Sequence, residues 1–263
     1  VRMLRLIVIA LVLLAVAWAL RNRRRRRRAT QDARRFERLA SLQSLRLWAR
    51  VPDALRDTLV ARVEDFIDRV PFTGAGGLVI DDSMRVRIAA QCCLVTLGHE
   101  GWPFAALHGI TLHPDEFVVR QEIEDEDTGV VTEGYEALSG QSIESDRIVL
   151  SWRDVLEGDA HDDGYNVVIH EVTHFLEHAN PGGDQAARAA LEAAREELGR
   201  ALDRGETPLI DPYGAEDTAE FLAVAAETFF ERPRELRTRH PTLYVLLRES
   251  FRLDPAEWPN PTQ

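Results

Sequence analysis

The segment YNVVIHEVTHFLEH, residues 165–178, constrains the fold of this chain more than any other feature. It places His170, Glu171 and His174 in the order H-E-x-x-H, with apolar residues directly before and after. Side chains four residues apart lie on one face of an α-helix, so both histidines can reach a single metal ion if the segment is helical. The apolar flanks indicate that this helix is buried. The sequence therefore predicts an internal helix that carries two metal ligands.

Glu171 stands next to the first histidine but off the line that joins the two ligands. From there its carboxylate can reach a water molecule on the metal rather than the metal itself. Zinc lowers the pKa of such a water toward about 7, and a nearby glutamate can accept the proton as general base. This order of residues is typical of zinc metallopeptidases. It predicts one catalytic Zn²⁺ ion and a peptide or protein substrate.

A catalytic zinc site needs a third protein ligand and one open position. His178 is unsuited, because three histidines along one helix spread too far to surround one ion. The segment EDTAEFLAVAAETFFERP, residues 216–233, offers Glu220 and Glu227, which are seven residues apart and share a helical face. Acidic side chains inside an apolar helix are unfavourable unless they are paired or bound to metal. Either glutamate could be the ligand, with the other orienting a histidine.

The remaining patterns predict a mostly helical α+β body with a small sheet, in one domain. Apolar periodicity with start and stop signals predicts helices over residues 30–70, 82–98, 164–179, 184–203, 215–230 and 233–250. The glycine-rich FTGAGGL, residues 72–78, is interpreted as a turn. Short β-like runs between residues 108 and 150 predict an antiparallel or mixed sheet. The acidic EIEDED, residues 122–127, is expected at a solvated hairpin tip.

The N-terminus predicts a membrane anchor. LIVIALVLLAVAWAL, residues 6–20, is an uninterrupted apolar run, and RNRRRRRR follows it. A helix over residues 3–20 would be about 27 Å long, close to the thickness of a bilayer core. Because arginines stay on the cytoplasmic side, residues 1–29 are expected to be a single-pass, transmembrane-like helix in the inner membrane, with domain 30–263 facing the cytoplasm. A cleaved signal peptide and a cytoplasmic protein are the alternatives.

The charge distribution argues against nucleic acid as a partner. Residues 1–35 hold eleven Arg and one Asp, a balance of +10, so the rest of a chain of net charge −12 carries −22. An acidic body repels phosphates. The two cysteines, Cys92 and Cys93, are adjacent, and a disulfide between neighbours is strained. The sequence therefore predicts neither nucleic-acid binding nor a disulfide framework.

Four segments together resemble the MtfA (Mlc titration factor A) family of zinc peptidases. They are YNVVIHEVTH, YGAEDTAEFLAVAAETFFERP, VPFTGAGGLVIDDSMRVRIAAQCCLVTL and DRIVLSW, and the resemblance spans residues 55–250. It implies a zincin-like fold similar to the catalytic domain of anthrax lethal factor. The family has a tyrosine seven residues before its ligand glutamate, and Tyr213 stands at that distance from Glu220. The resemblance thus implies His170, His174 and Glu220 as zinc ligands and Glu171 and Tyr213 as catalytic residues.

Two functions remain open at this stage. The first is a zinc-dependent peptidase, for which aminopeptidase activity is one option. The second is a regulatory protein that sequesters a partner and uses the metal site mainly as structure; the family's founding member binds a transcriptional repressor, but no residue here encodes that partnership. Glu171 and Tyr213 favour the peptidase, because a purely structural zinc site is typically closed by four protein ligands. The chain departs from the family in its extra apolar N-terminus and in a shorter section before Glu220.

Overall fold

The computed structural model describes most of the chain after residue 30. The described residues are 31–115, 117–124, 131–138, 140–143, 146–179 and 185–259, with Trp18, Arg21 and Arg23. Helices dominate them. They are α1 (31–43), α2 (Arg46–Arg50), α3 (Asp53–Arg69), α4 (Asp82–Val95), α5 (Trp152–Ala160), α6 (Val167–Ala179), α7 (Gln185–Asp203), α8 (Thr218–Glu231), α9 (Pro233–Arg239) and α10 (Pro241–Phe251).

One small sheet and one hairpin complete the fold. The strands are β1 (Phe72–Gly74), β2 (Gly109–His113), β3 (Phe117–Glu124), β4 (Val131–Leu138), β5 (Gly140–Ile143) and β6 (Arg147–Ser151). The sheet has the order β1-β2-β6-β5, in which β1, β2 and β6 are parallel and β5 pairs antiparallel with β6. Strands β3 and β4 form a separate antiparallel hairpin. Residues 125–130, which include part of the predicted acidic tip, lie outside the described residues.

The prediction of an antiparallel sheet is wrong for its main part. Phe72 pairs with Ile110, and Ile110 pairs with Ile148, all in parallel register. The connection from β1 to β2 contains α4, and a crossover that contains a helix brings two strands into parallel pairing. Sequence reasoning assigned residues 72–78 to a turn and so lost β1, because a strand of three residues is too short to show periodicity.

The helix predictions agree more closely with the structure, although two differences occur after residue 150. The single helix expected over residues 233–250 is two helices, α9 and α10, which meet at His240. Pro241 explains the break, since proline disfavours helical geometry in the residue before it. Helix α5 was not predicted; it starts after Ser151, whose hydroxyl accepts a hydrogen bond from Asp154 N at 3.3 Å.

Helix α6 lies inside the molecule, as its apolar flanks predict. It packs against α4, α8 and the strands β5 and β6. Val168, Val172 and Phe175 are buried, and the ring of Phe175 stacks on Phe104 at a centroid distance of 6.1 Å. Helix α4 is buried over most of its surface. The fold thus holds the H-E-x-x-H segment between a helical layer and the edge of the sheet.

The prediction of a single-pass inner-membrane protein is not supported. No helix in the described part of the chain has the length and apolar character that crossing a bilayer requires. Of residues 3–20, Trp18 alone belongs to that part, so the apolar run itself lies outside the described residues. A boundary between residues 29 and 30 stays a prediction.

Candidate metal centre

Helix α6 brings two imidazoles together on one face. The Nε2 atoms of His170 and His174 are 3.0 Å apart, and both side chains are largely buried. Their spacing of four residues places them one above the other on the helix. His178, one turn further on, does not join them; its Nδ1 lies 2.9 Å from the backbone oxygen of His174.

Helix α8 supplies a carboxylate to the same point. Asp217 caps this helix, because its Oδ1 accepts hydrogen bonds from Ala219 N at 2.8 Å and Glu220 N at 2.9 Å. The cap fixes the first turn, from which Glu220 extends toward α6. Its Oε2 lies 3.0 Å from His170 Nε2 and 3.3 Å from His174 Nε2.

These three atoms fit a divalent metal ion. The ligand atoms of His170, His174 and Glu220 lie within 4.8 Å of one another. Neighbouring ligands of a tetrahedral zinc ion are about 3.4 Å apart, given metal–ligand bonds of about 2.1 Å. Two imidazoles and one carboxylate are also a donor set that zinc takes in catalytic sites. Within the described residues this is the one such group of three ligand side chains.

The cluster is electrostatically prepared for a cation. Burial alone would lower the pKa of His170, but hydrogen bonds to Glu220 and Glu227 outweigh it and raise that pKa to about 10. Burial likewise opposes ionisation of Glu220, yet the hydrogen bonds with His170 and His174 lower its pKa to about 2. The metal-free cluster therefore holds a proton next to carboxylate oxygens. A bound metal ion takes the place of that proton.

Glu171 is buried beside this cluster without a partner for one oxygen. Its side chain is 4% exposed, and Oε2 has no hydrogen bond. Burial is the main reason that the pKa of Glu171 rises to about 7, although His170 and His174 act against it. Unpaired buried carboxyl oxygens are unfavourable in a folded protein and are common at functional sites.

Glu227 contacts the far side of His170. It is 3% exposed, and its Oε1 lies 2.8 Å from His170 Nδ1. Its other oxygen, Oε2, accepts a short hydrogen bond from Asn166 N. The two glutamates that the sequence could not rank thus occupy different positions, with Glu220 at the Nε2 atoms and Glu227 behind one ring.

Tyr213 lies at the rim of the cluster. It belongs to a 3₁₀ turn, Pro212–Ala215, which Asp211 caps by accepting a hydrogen bond from Tyr213 N at 2.8 Å. The ring centroids of Tyr213 and His170 are 6.2 Å apart, and Tyr213 is 45% exposed. The next residue, Gly214, touches α8 so closely that a Cβ there would lie 2.6 Å from the Val224 side chain.

Sequence reasoning missed three residues that build this site. Asp217 had a signal, since D-x-x-E before an apolar run resembles a capping pattern. Asn166 had one too, because asparagine is a preferred N-cap before an apolar helix. Gly214 had none, because the need for a missing side chain arises from contacts with α7 and α8 that the local sequence does not show.

Sequence comparisons identify the protein family to which this chain is similar. The model of the glucose-regulated metallo-peptidase M90 family matches residues 20–252. An uncharacterized protein of Synechocystis sp. is 32% identical over 228 residues, which cover 80% of this chain and 81% of that protein. Mlc titration factor A of Pectobacterium atrosepticum is 31% identical, covering 81% and 84%. Mlc titration factor A of Serratia proteamaculans is 37% identical over 193 residues, covering 68% and 72%.

The match and the His–His–Glu cluster together indicate a metallopeptidase. The chain belongs to the glucose-regulated metallo-peptidase M90 family. The resemblance to the MtfA family is thereby confirmed.

Proposed function

We propose that this protein is a zinc-dependent peptidase that hydrolyses peptide bonds, with His170, His174 and Glu220 as metal ligands. The observation that carries the proposal is the convergence of their three ligand atoms at separations of 3.0–3.3 Å. The family supports a metal ion and a peptide or protein substrate. Zinc is the ion that this set of donors favours.

Glu171 is the general base of the proposed reaction. A zinc ion in the cluster would supply Lewis acidity and lower the pKa of an attacking water. Oε2 of Glu171 has no hydrogen-bond partner, so it is available to take the proton of that water. The carboxyl group then gives the proton to the nitrogen of the leaving amine. Its burial keeps bulk water from competing for the same oxygen.

Tyr213 is the proposed oxyanion donor. Its ring lies beside that of His170 and is half-exposed, at the rim where a substrate enters. A phenol there can donate a hydrogen bond to the oxygen that becomes negative as the carbonyl is attacked. The cap from Asp211 and the close contact of Gly214 with α8 hold its backbone in place.

A partner-sequestering protein with a structural metal is less well supported. A structural site has no use for Glu171, whose buried and unpaired oxygen is unfavourable for stability. Structural zinc sites are usually closed by four protein ligands, whereas three ligand side chains converge here. No described residue points to a repressor as partner.

Metal analysis combined with cleavage of a peptide library tests the proposal. The purified protein is expected to contain one zinc ion per chain and to lose cleavage on chelation, with recovery when zinc is added back. Cleavage confined to N-terminal residues would identify an aminopeptidase, and internal cleavage an endopeptidase. A protein that binds no metal, or cleavage that chelation leaves unchanged, would refute the proposed function.

A further inference from the structure

Asn166, the residue before α6, uses all its polar groups to fasten that helix. Its Oδ1 accepts a hydrogen bond from Ile169 N at 3.1 Å, as a helix N-cap does, and its backbone oxygen accepts one from His170 N at 3.0 Å. Its backbone N donates to Glu227 Oε2, and its Nδ2 donates to Glu231 Oε1 at 3.2 Å. With 3% of its surface exposed, Asn166 cannot exchange these partners for water.

Helix α5 packs against Asn166, and Arg50 of α2 contacts Glu231, one of its hydrogen-bond partners. Helix α5 approaches so closely at Gly158 that a Cβ there would lie 3.1 Å from Asn166 Cα and 3.2 Å from Tyr165 O. On the other side, Arg50 of α2 lies 3.9 Å from Glu231 Oε2. The start of α6 is therefore held between α5 and α8, and Arg50 of α2 contacts the Glu231 side chain of α8.

Helix α8 contacts the start of α6 along a single face. Glu220, Glu227 and Glu231 are spaced by seven and four residues, so they lie in one row on the helix. Glu220 meets the two histidines, Glu227 meets His170 and Asn166 N, and Glu231 meets Asn166 Nδ2. Two of the three glutamates contact Asn166, which is one helical turn before His170.

We propose that Asn166 is a positioning residue for the metal centre. By fixing the axial position and rotation of α6 against α8, it sets His170 Nε2 opposite Glu220 Oε2. Displacement of α6 along its axis changes the distances from both histidines to Glu220 together. The inference rests on the proposed function wherever zinc binding is measured, but the effect of Asn166 on the start of α6 can also be measured in metal-free protein.

Two substitutions separate the cap from the bond to Glu231. Asn166→Ala removes both, whereas Asn166→Ser keeps a capping oxygen and is too short to reach Glu231. Zinc affinity is measured by competition with a chelator, and hydrogen exchange of the α6 amides is measured without metal. We expect Asn166→Ala to weaken zinc binding by about 10- to 100-fold and to speed exchange in the first turn of α6. Asn166→Ser should weaken zinc binding while exchange of the Ile169 amide stays near wild type.

Asp81→Ala is the matched control. Asp81 caps α4 in the same way, because its Oδ1 accepts a hydrogen bond from Met84 N at 2.9 Å. Within the described residues, Asp81 contacts no residue of the metal centre. The substitution should lower the melting temperature and leave zinc affinity and α6 exchange unchanged. If Asn166→Ala behaved like this control, Asn166 would be an ordinary cap and the inference would be wrong.

Glu231→Ala keeps the test decisive if Asn166→Ala does not fold. Glu231→Ala and Asn166→Ser each remove the hydrogen bond between Asn166 Nδ2 and Glu231, so they should weaken zinc binding to a similar extent. The double variant should therefore bind zinc no more weakly than either single variant. Fully additive losses would overturn the inference. If the wild-type protein bound no zinc, the proposed function would fail, and hydrogen exchange alone would decide whether Asn166 fastens α6.

Discussion

Glu227 Oε1 lies 2.8 Å from His170 Nδ1, on the side of the ring opposite the atom that faces Glu220. A carboxylate behind a ligand histidine fixes the tautomer and orientation of the ring and strengthens it as a donor. Glu227→Ala should therefore weaken zinc affinity by about 10- to 100-fold without abolishing binding. Chelator competition on the purified variant checks this. Unchanged affinity would show that His170 is oriented by its packing alone.

Glu171→Gln should separate metal binding from catalysis. The amide keeps the volume of the side chain but cannot accept a proton, and Glu171 is not among the three converging ligands. We expect wild-type zinc content and a fall in kcat of about 100- to 10,000-fold, the usual contribution of a general base. Glu177→Gln, on the same helix outside the cluster, is the control. A Glu171→Gln protein that kept wild-type turnover would exclude it as the base.

Tyr213→Phe should leave zinc and fold intact and slow the reaction. If the phenol donates to the developing oxyanion, its loss should lower kcat by about 100- to 1,000-fold with little change in KM, because the bond forms mainly in the transition state. Steady-state kinetics measure the two constants separately. Tyr244→Phe is the control. The Tyr244 hydroxyl donates to Asp254 and accepts from Ala256 N, away from the metal centre, so its removal should affect stability alone. A rise confined to KM would point to substrate binding instead.

Glu231 should make stability depend on pH. Burial raises the pKa of Glu231 to about 8. Arg50 acts against this rise and Asp162 adds to it, and Asn166 Nδ2 also faces the carboxyl group. Its ordinary value is 4.5, so the unfolded chain loses this proton first. The stability contribution is complete below about pH 4.5 and is lost as the pH rises through about 8.

Glu231→Gln removes that titration. The melting temperature of the variant relative to wild type should rise between about pH 5 and pH 8 and level off above it. Thermal unfolding across this range measures the difference, with the exposed Glu249→Gln as control. A difference that did not vary with pH would show that the carboxyl group of Glu231 titrates normally.

The sequence predicted the parts of the site that depend on local spacing. His170 and His174 share a face because they are four residues apart, and helix formation alone then brings their Nε2 atoms together. The choice between Glu220 and Glu227 depends instead on how α8 packs against α6. Helical phase gives both glutamates the same direction, so the sequence alone left both open. The seven-residue spacing to Tyr213 in the resembling family pointed to Glu220.

The errors came from non-local pairing. The direction of β1 relative to β2 follows from the crossover through α4, and no pattern within residues 108–150 encodes it. The two hydrogen bonds from Asn166 to Glu227 and Glu231 likewise join segments that are far apart in the chain. Such contacts are set by tertiary packing, which periodicity does not report.

Zinc content of Glu220→Ala is the decisive measurement for the proposed metal centre, because Glu220 is the one proposed ligand that comes from α8. Wild type and variant are loaded with zinc, dialysed together and measured for metal per chain, alongside His174→Ala and Glu227→Ala. We expect about one zinc ion per chain in wild type, severe loss in both Glu220→Ala and His174→Ala, and a milder loss in Glu227→Ala. Zinc retained by Glu220→Ala and lost by Glu227→Ala would contradict it.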